Sequence, residues 1–455
     1  MRPTEAATAP LELTDALIAE VRDAIAAGNN DLVAALAAPL HVADLADLLQ
    51  RLERDERFAV IGTLGPDFDP DTLAYLDEFV REEVLEALGP EAAGKALAQL
   101  ETDDAVEILA ELDDAEQQAI LASLPLPERA ALERGLAYPE WSAGRLMQRD
   151  AVAVPDYWNV GQTLAYLRAH PDLPDDFYDI FLVDPRFRVV GDVPLSRVLR
   201  SERAVALTDL KQKELRTFTP ETDQEEVARA FRRYALVSAP VVAADGRLLG
   251  VITIDDVVDV IDEEAEDDIL KLGGVSEDDT YVPAVQTSRR RMPWLGINLI
   301  TALLGAFMIS QYEGTIARLV SLATLMPMVA GLGGNAGTQA LTVTVRSLAA
   351  GEITKGNTWR SIRKELAVGV LNGGTFLIAG ACLALIWYQE PALAGVFGAA
   401  LLINLVVAAV LGATIPIALH RLGQDPAVAS SVFLTPVTDA VGFFAFLGLA
   451  SLFLL

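Results

Sequence analysis

Residues 427–455, AVASSVFLTPVTDAVGFFAFLGLASLFLL, form an apolar run with one ionisable group, Asp439, near its middle. A helix of about 20 apolar residues crosses a bilayer, and a carboxylate at its centre costs about 2.5–3.5 kcal/mol to insert. A fold that keeps Asp439 must give it a partner, a proton, or a water-filled path with a cation in it. The plainer alternative is a hydrogen-bonded carboxyl that ties helices together. Four further apolar runs lie at about 293–311, 319–345, 366–388 and 392–419. Residues 291–455 are therefore predicted to form a transmembrane domain of five helices, since only helices or closed barrels satisfy the backbone in lipid.

Charge divides the chain in two. The net charge is −30 over 455 residues. From residue 289 onward ten Lys/Arg stand against six acids, a balance of +4, which leaves −34 on residues 1–288. Nucleic acid attracts basic surfaces, so it is excluded as a partner; the acidic part points to cations. The single cysteine, Cys382, has no intrachain partner. The opening MRPTEAATAPLELTD lacks the basic and apolar regions of a signal peptide, so the acidic part is expected in the cytosol. Arg346, Lys355, Arg360, Arg363 and Lys364 follow the second run, whereas the loop after the third, YQEP, has no basic residue. Lys and Arg favour the cytosolic side, which predicts a multi-pass protein with its N-terminus cytoplasmic and its C-terminus outside.

Residues 1–138 read as all-helical. LLQRLERDERFAVIGTL, LAQLETDDAVEILAEL and ILAELDDAEQQAILASL each read helix, acidic cap, helix. Stacked helix pairs or an irregular bundle fit this pattern. Asp103 and Glu107 share one face at a helix start, a pair equally at home in a solvated first turn, where the helix dipole favours acids.

A second repeat follows. LMQRDAVAVPDYWNVGQTLAYLR at 146–168 aligns with LKQKELRTFTPETDQEEVARAFR at 210–232. FLVDPRFRVVGDVPLSRVL at 181–199 aligns with PVVAADGRLLGVITIDDVV at 240–258. Each copy, 139–200 and 201–261, reads as helices and β-branched strands with a turn such as Asp245-Gly246. The pair resembles tandem CBS modules, on the ending Gly250-Val251-Ile252-Thr253-Ile254-Asp255-Asp256. That resemblance implies an adenine nucleotide such as ATP in the cleft between copies. The first copy ends Gly191-Asp192-Val193-Pro194-Leu195-Ser196, without the Thr/Asp pair.

The stretch DDVVDVIDEEAEDD, 255–268, is predicted to be one helix that breaks near Gly273-Gly274, within a connecting segment over 262–290. Asp255, Asp259, Glu263 and Asp267 recur at i, i+4, where each like-charge pair destabilises a helix by about 0.2–0.5 kcal/mol. A divalent ion held by carboxylates would relieve this; a hydrated surface helix is the plainer reading. Arg289, Arg290 and Arg291 with Trp294 mark a membrane interface.

The second apolar run contains Pro327-Met328-Val329-Ala330-Gly331-Leu332-Gly333-Gly334-Asn335-Ala336-Gly337-Thr338-Gln339. Pro327 frees a carbonyl, Gly333 and Gly337 have close-packing spacing, and Asn335 and Gln339 share a face. Gly333, Gly334, Asn335 and Gln339 together make a polar, glycine-rich wall suited to lining a pore. Asn298, Asn372 and Asn404 read instead as hydrogen bonders between helices.

This motif, the five runs, the CBS pair and the acidic N-terminal helices together resemble the MgtE family of bacterial magnesium channels, over almost the whole chain. The resemblance implies a homodimer in the bacterial inner membrane, surrounded by lipid. Its pore would conduct Mg2+, lined by the second and fifth helices and closed when cytosolic Mg2+ is plentiful. Asp439, in Thr435-Pro436-Val437-Thr438-Asp439, takes the selectivity role, with Ser431 and Thr435 adding oxygen contacts. Regulatory Mg2+ sites fall on Asp103 and Glu107, on Asp223 and Glu225, on Asp256 and Asp259, and on Glu264, Asp267 and Asp268. Asp425 stands near the cytosolic mouth. A broader Mn2+/Co2+ transporter is the alternative, and a CBS-regulated anion channel a weaker one, disfavoured by Asp439. The three histidines form no H-E-x-x-H, which argues against an intramembrane zinc protease. The expected fold is multidomain: an all-α helical-repeat domain, an α/β tandem CBS pair, an acidic connecting helix and a five-helix α transmembrane domain.

Overall fold

The computed structural model describes residues 13–171, 173–174, 176–273, 275, 282 and 284–455; the side chains of 428–432 lie outside the described set. The opening residues read for a signal peptide lie largely outside it, as does Gly274 of the predicted helix break. The chain forms two compact units, Met1–Asp262 and Glu263–Leu455.

In the first unit, nine helices of 8–12 residues run from Asp15 to Leu136 among the described residues, joined by two 3-10 turns. Polar caps start several of them: the side chains of Thr14, Asn29, Asp77 and Asp113 accept from first-turn amides, supplying acceptors the helix itself lacks. Their inner faces bury Leu48, Leu49, Leu97 and Leu109, together with Leu73 of the second 3-10 turn, in one apolar core, each worth about 1.5–3 kcal/mol relative to exposure. Two buried arginines bind successive layers. Arg57 donates to the carbonyls of Leu49 and Leu52 and, at 2.5 Å, to Glu83, 26 residues on. Arg81 donates to the Leu76 carbonyl and reaches Glu107, again 26 residues on, at 3.4 Å, and Glu111 at 2.9 Å.

Beyond these helices lie two small sheets. β1 (Ala153–Pro155) runs parallel to β2 (Asp179–Val183), which pairs antiparallel with β3 (Val189–Pro194). β4 (Ser238–Val242) pairs antiparallel with β5 (Leu248–Thr253). The sequence repeat is visible in the backbone. The register slips at Leu182/Val183 in one copy and at the equivalent Val241/Val242 in the other. The copies also meet through equivalent atoms: Val189 N–H donates to the Gly246 carbonyl and Leu248 N–H to that of Phe187. Ser238 Oγ donates to its counterpart Asp179 at 2.7 Å. Gly246, in the expected Asp245-Gly246 turn, has φ +86°, a backbone state that disfavours any side chain.

The acidic helix spans Ile254–Gly273 without interruption, and its last residue is the first glycine of the predicted break. In the second unit follow Ala284–Ser310, a short helix Glu313–Arg318, a motif helix Ser321–Ala349, then Thr358–Tyr388, Pro391–Arg421 and a last helix Pro426–Phe453. Four of the long helices are long and apolar enough to cross a membrane: Ala284–Ser310, Thr358–Tyr388, Pro391–Arg421 and, within the last helix, Phe433–Phe453. The expected count of five is thus met by four on this measure. The motif helix has the length, 29 residues, but Gly331, Gly333, Gly334, Asn335, Gly337, Thr338 and Gln339 dilute its apolar character. Pro391–Arg421 packs against the motif helix, Thr358–Tyr388 and the last helix. Glycines permit this: a Cβ on Gly412 would stand 2.5 Å from the Gly337 carbonyl oxygen, so the two backbones touch. Ala284–Ser310 buries only Gly305 among its described residues, against Phe443.

Candidate cation sites

In the first unit, Glu101, Asp103 and Asp256 bring carboxylate oxygens within 4.8 Å of one another. Glu101 is the N-cap of helix Thr102–Glu111, and Asp103 lies in its first turn. Asp256 stands in the first turn of the acidic helix, where Thr253 N–H and Oγ1–H donate to its Oδ2 at 3.3 and 2.7 Å. Gln148 Nε2 bridges the group, donating to Glu101 and, at 3.4 Å, to Asp256. Gln148 is itself held by reciprocal backbone bonds with Val251. Asp103 is 7% exposed, and its Oδ1 is buried with no hydrogen-bond partner.

Burial and mutual repulsion hold these groups towards the protonated state. Desolvation, then the charge of Asp256, raises Glu101 to about 7. The same two causes, with Glu107 added, raise Asp104 to about 7. Asp103 is pushed well above the usual carboxylate range, and burial lifts Asp256 to about 6. Among the described residues, the charges that act on Glu101, Asp103 and Asp256 are acidic, whereas Arg81 partly offsets the field at Asp104. Three carboxylate oxygens this close, one with an unused lone pair, match the all-oxygen donor set that Mg2+ takes.

The other acids predicted for the first unit are placed differently. Glu107 turns to Arg81, although it lies close enough to Asp259 to raise that residue's pKa, after desolvation. Asp223 caps helix Gln224–Tyr234, accepting from Glu225 N–H at 2.9 Å. Glu225 pairs with Arg229 at 3.2 Å. Spacing in the sequence does not single out Glu101 or Gln148. An acid two residues before Asp103 was the available signal for Glu101; Gln148 offered none, because a sheet contact delivers it from a distant segment.

In the second unit, Lys271 pairs with Asp267 one turn back and with Asp425 at 2.8 Å. Asp268 lies close by, and desolvation and then the Asp425 charge raise its pKa. Glu264 adds to the same field. The acidic helix thus carries a counter-cation of its own in Lys271. Asp425 also caps the last helix, accepting from Ala427 N–H at 2.7 Å.

Asp439 lies mid-way along the last helix, between exposed and buried, as part of a face that includes exposed Thr435. Among the described residues it has no cation within ion-pair distance. The side chain of Ser431 lies outside the described set. On the motif helix, Asn335 and Gln339 are exposed and Gly334 is partly exposed, whereas Gly333 is buried on the packed face. A Cβ there would stand 2.1 Å from Asn404 Nδ2, so this glycine serves close approach.

Residues 326–449 match the MgtE family model, described as a divalent cation transporter. Residues 40–141 match the MgtE intracellular N domain and 207–263 a CBS domain. A magnesium transporter MgtE of Bacillus subtilis is 29% identical over 90% of this chain and 91% of its own length. One from Thermus thermophilus is 34% identical over 69% of this chain and 70% of its own. Among solved structures, the cytosolic domain of the Mg2+ channel MgtE in complex with ATP is 28% identical. It superposes with a TM-score of 0.50, covering 53% of this chain and 99% of that one.

Proposed function

The chain belongs to the MgtE family, and from that premise we propose that it carries Mg2+ across the bacterial inner membrane under control of cytosolic Mg2+. The observation that carries the control is the approach of Glu101, Asp103 and Asp256 with the unpartnered Asp103 Oδ1. These three would hold a regulatory ion, which supplies the positive charge they lack. A bound ion would displace their protons and tie helix Thr102–Glu111 to the start of the acidic helix; without the ion that tie is lost and the two can part, a movement that opens the pathway. Asp259 adds to the acids of the first unit, and in the second Glu264, Asp267, Asp268 and Asp425 form an acidic group of their own. Switching from 1:99 to 99:1 needs about 5.5 kcal/mol of differential binding, a sum that several weak sites supply jointly.

Mg2+ sheds its waters reluctantly. A path for it is best lined by groups that bind the hydrated ion: two copies of Asp439, one from each subunit of a homodimer, with Thr435, Asn335 and Gln339 offering oxygens. The basic segment from Arg346 to Lys364 supports a cytoplasmic N-terminus and an external C-terminus. The CBS pair is the candidate site for an adenine nucleotide such as ATP, as in the solved cytosolic domain.

The test is Mg2+ influx into vesicles containing the purified chain. Asp439→Ala should abolish influx, and Asp103→Asn should leave it flowing at internal Mg2+ that shuts the wild type. Influx through Asp439→Ala at the wild-type rate, or an unchanged Mg2+ dependence in Asp103→Asn, refutes the respective half.

A further inference from the structure

Asn404 lies mid-way along Pro391–Arg421 and is wholly buried. Its Nδ2 donates to the main-chain carbonyl of Val329, in the motif helix, at 2.8 Å. Its Oδ1 is buried with no hydrogen-bond partner among the described residues. The amide is wedged between two glycines. A Cβ on Gly333 would stand 2.1 Å from Nδ2, and one on Gly442, in the last helix, 2.7 Å from the same atom. Neither distance is tolerable, so the wedge exists only because both positions lack a side chain.

The placement is specific. Gly333 follows Val329 by one turn, so its missing side chain is what lets the amide reach that carbonyl. Gly442 follows Asp439 by three residues and shares a side of the last helix with it. Gly333 precedes Asn335 by two. An apolar side chain would fill the gap without stranding a buried oxygen, and a stranded buried acceptor calls for an explanation beyond packing. Asn404 has no exposed surface, so it does not meet the ion itself.

We infer that Asn404 is a positioning residue of the transport path: its amide sets the gap between the motif helix and the last helix, and so the place of Asp439 relative to Asn335 and Gln339. This rests on Asp439 lining that path.

The experiment uses the full chain in vesicles, with Mg2+ influx and the Mn2+/Mg2+ influx ratio as readouts. Asn404→Ala should cut Mg2+ influx about ten- to a hundredfold, the scale of a misplacement near 1 Å, and change the ratio. Gly333→Ala should be at least as impaired. The double variant Gly333→Ala/Asn404→Ala should exceed Gly333→Ala alone, because the added methyl enters the space the amide vacated. An unchanged rate and ratio in Asn404→Ala, or a double variant no better than Gly333→Ala, overturns the inference. Should Asn404→Ala fail to fold, Gly442→Ala decides: it crowds the wedge from the other side, and an unchanged ratio overturns the inference. Asp439→Asn in the same vesicles keeps the two readings apart. Normal influx there overturns the pathway role of Asp439, whereas loss of influx there with an unaltered Asn404→Ala overturns the wedge alone.

Discussion

Lys271 Nζ lies 2.8 Å from Asp425 Oδ2 while also pairing with Asp267, so one ammonium serves two carboxylates from different helices. Partial burial alone would lower its pKa, but its hydrogen bonds to Asp267 and Asp425 outweigh that and raise it. Replacing it by Lys271→Gln leaves the acids without their built-in cation. Mg2+ should then bind this surface more tightly, with a two- to fivefold lower midpoint for about 0.5–1 kcal/mol of lost competition at a partly exposed pair. Mg2+ titration followed by thermal unfolding measures it; a higher midpoint contradicts the competition.

Proton occupancy of the carboxylate cluster predicts an unusual pH dependence. Glu101, Asp104 and Asp256 titrate at about 7, 7 and 6 in the folded chain, against about 4 when unfolded. Between those values the folded state holds more protons, so stability falls as pH rises. Without divalent ions, the melting temperature of the purified chain should drop between about pH 5 and pH 7.5. Added Mg2+ should flatten the curve, and Glu101→Gln should shrink the drop. A melting temperature that climbs over this range would falsify the protonation of the cluster.

Arg81 sits at a junction. Its side chain is 7% exposed and neutralises Glu111, which desolvation, partly offset by Arg81, already lifts to about 7. Arg81→Met should destabilise the chain by about 3 kcal/mol, because it strands a sheltered acid and the Leu76 carbonyl. Denaturant unfolding would show it, and a loss below about 1 kcal/mol would place Glu111 in water.

Gly250 underlies Gln148: a Cβ there would stand 2.4 Å from the Gln148 carbonyl oxygen. Gly250→Ala should push that segment off β5 and with it the amide that bridges Glu101 and Asp256. Mg2+ affinity of the cluster should fall several-fold while circular dichroism stays helical. Retained affinity would detach Gln148 from the site.

Much of the architecture was legible because its causes are local. Helix periodicity, the repeat of residues 181–199 in 240–258, and the apolar runs each express a rule carried by neighbouring residues. The site was less legible. Spacing pairs Asp103 with Glu107, yet the structure sends Asp103 to Asp256 and gives Glu107 to Arg81, because a buried arginine from the preceding layer competes for it. The lysine answering the acidic helix stands at its C-terminal end, in Lys271, four residues past Asp267. The glycine motif read as a pore wall contains one residue, Gly333, that serves packing against Asn404.

The two CBS-like halves share a backbone down to the slip in strand register, yet where one has the buried acid Asp192 the other has Val251. Matched positions of the two halves thus carry unlike buried groups, a carboxyl that burial pushes towards its neutral form in one and a branched hydrocarbon in the other. A duplicated scaffold can in this way keep its strands alike while the groups it shelters diverge.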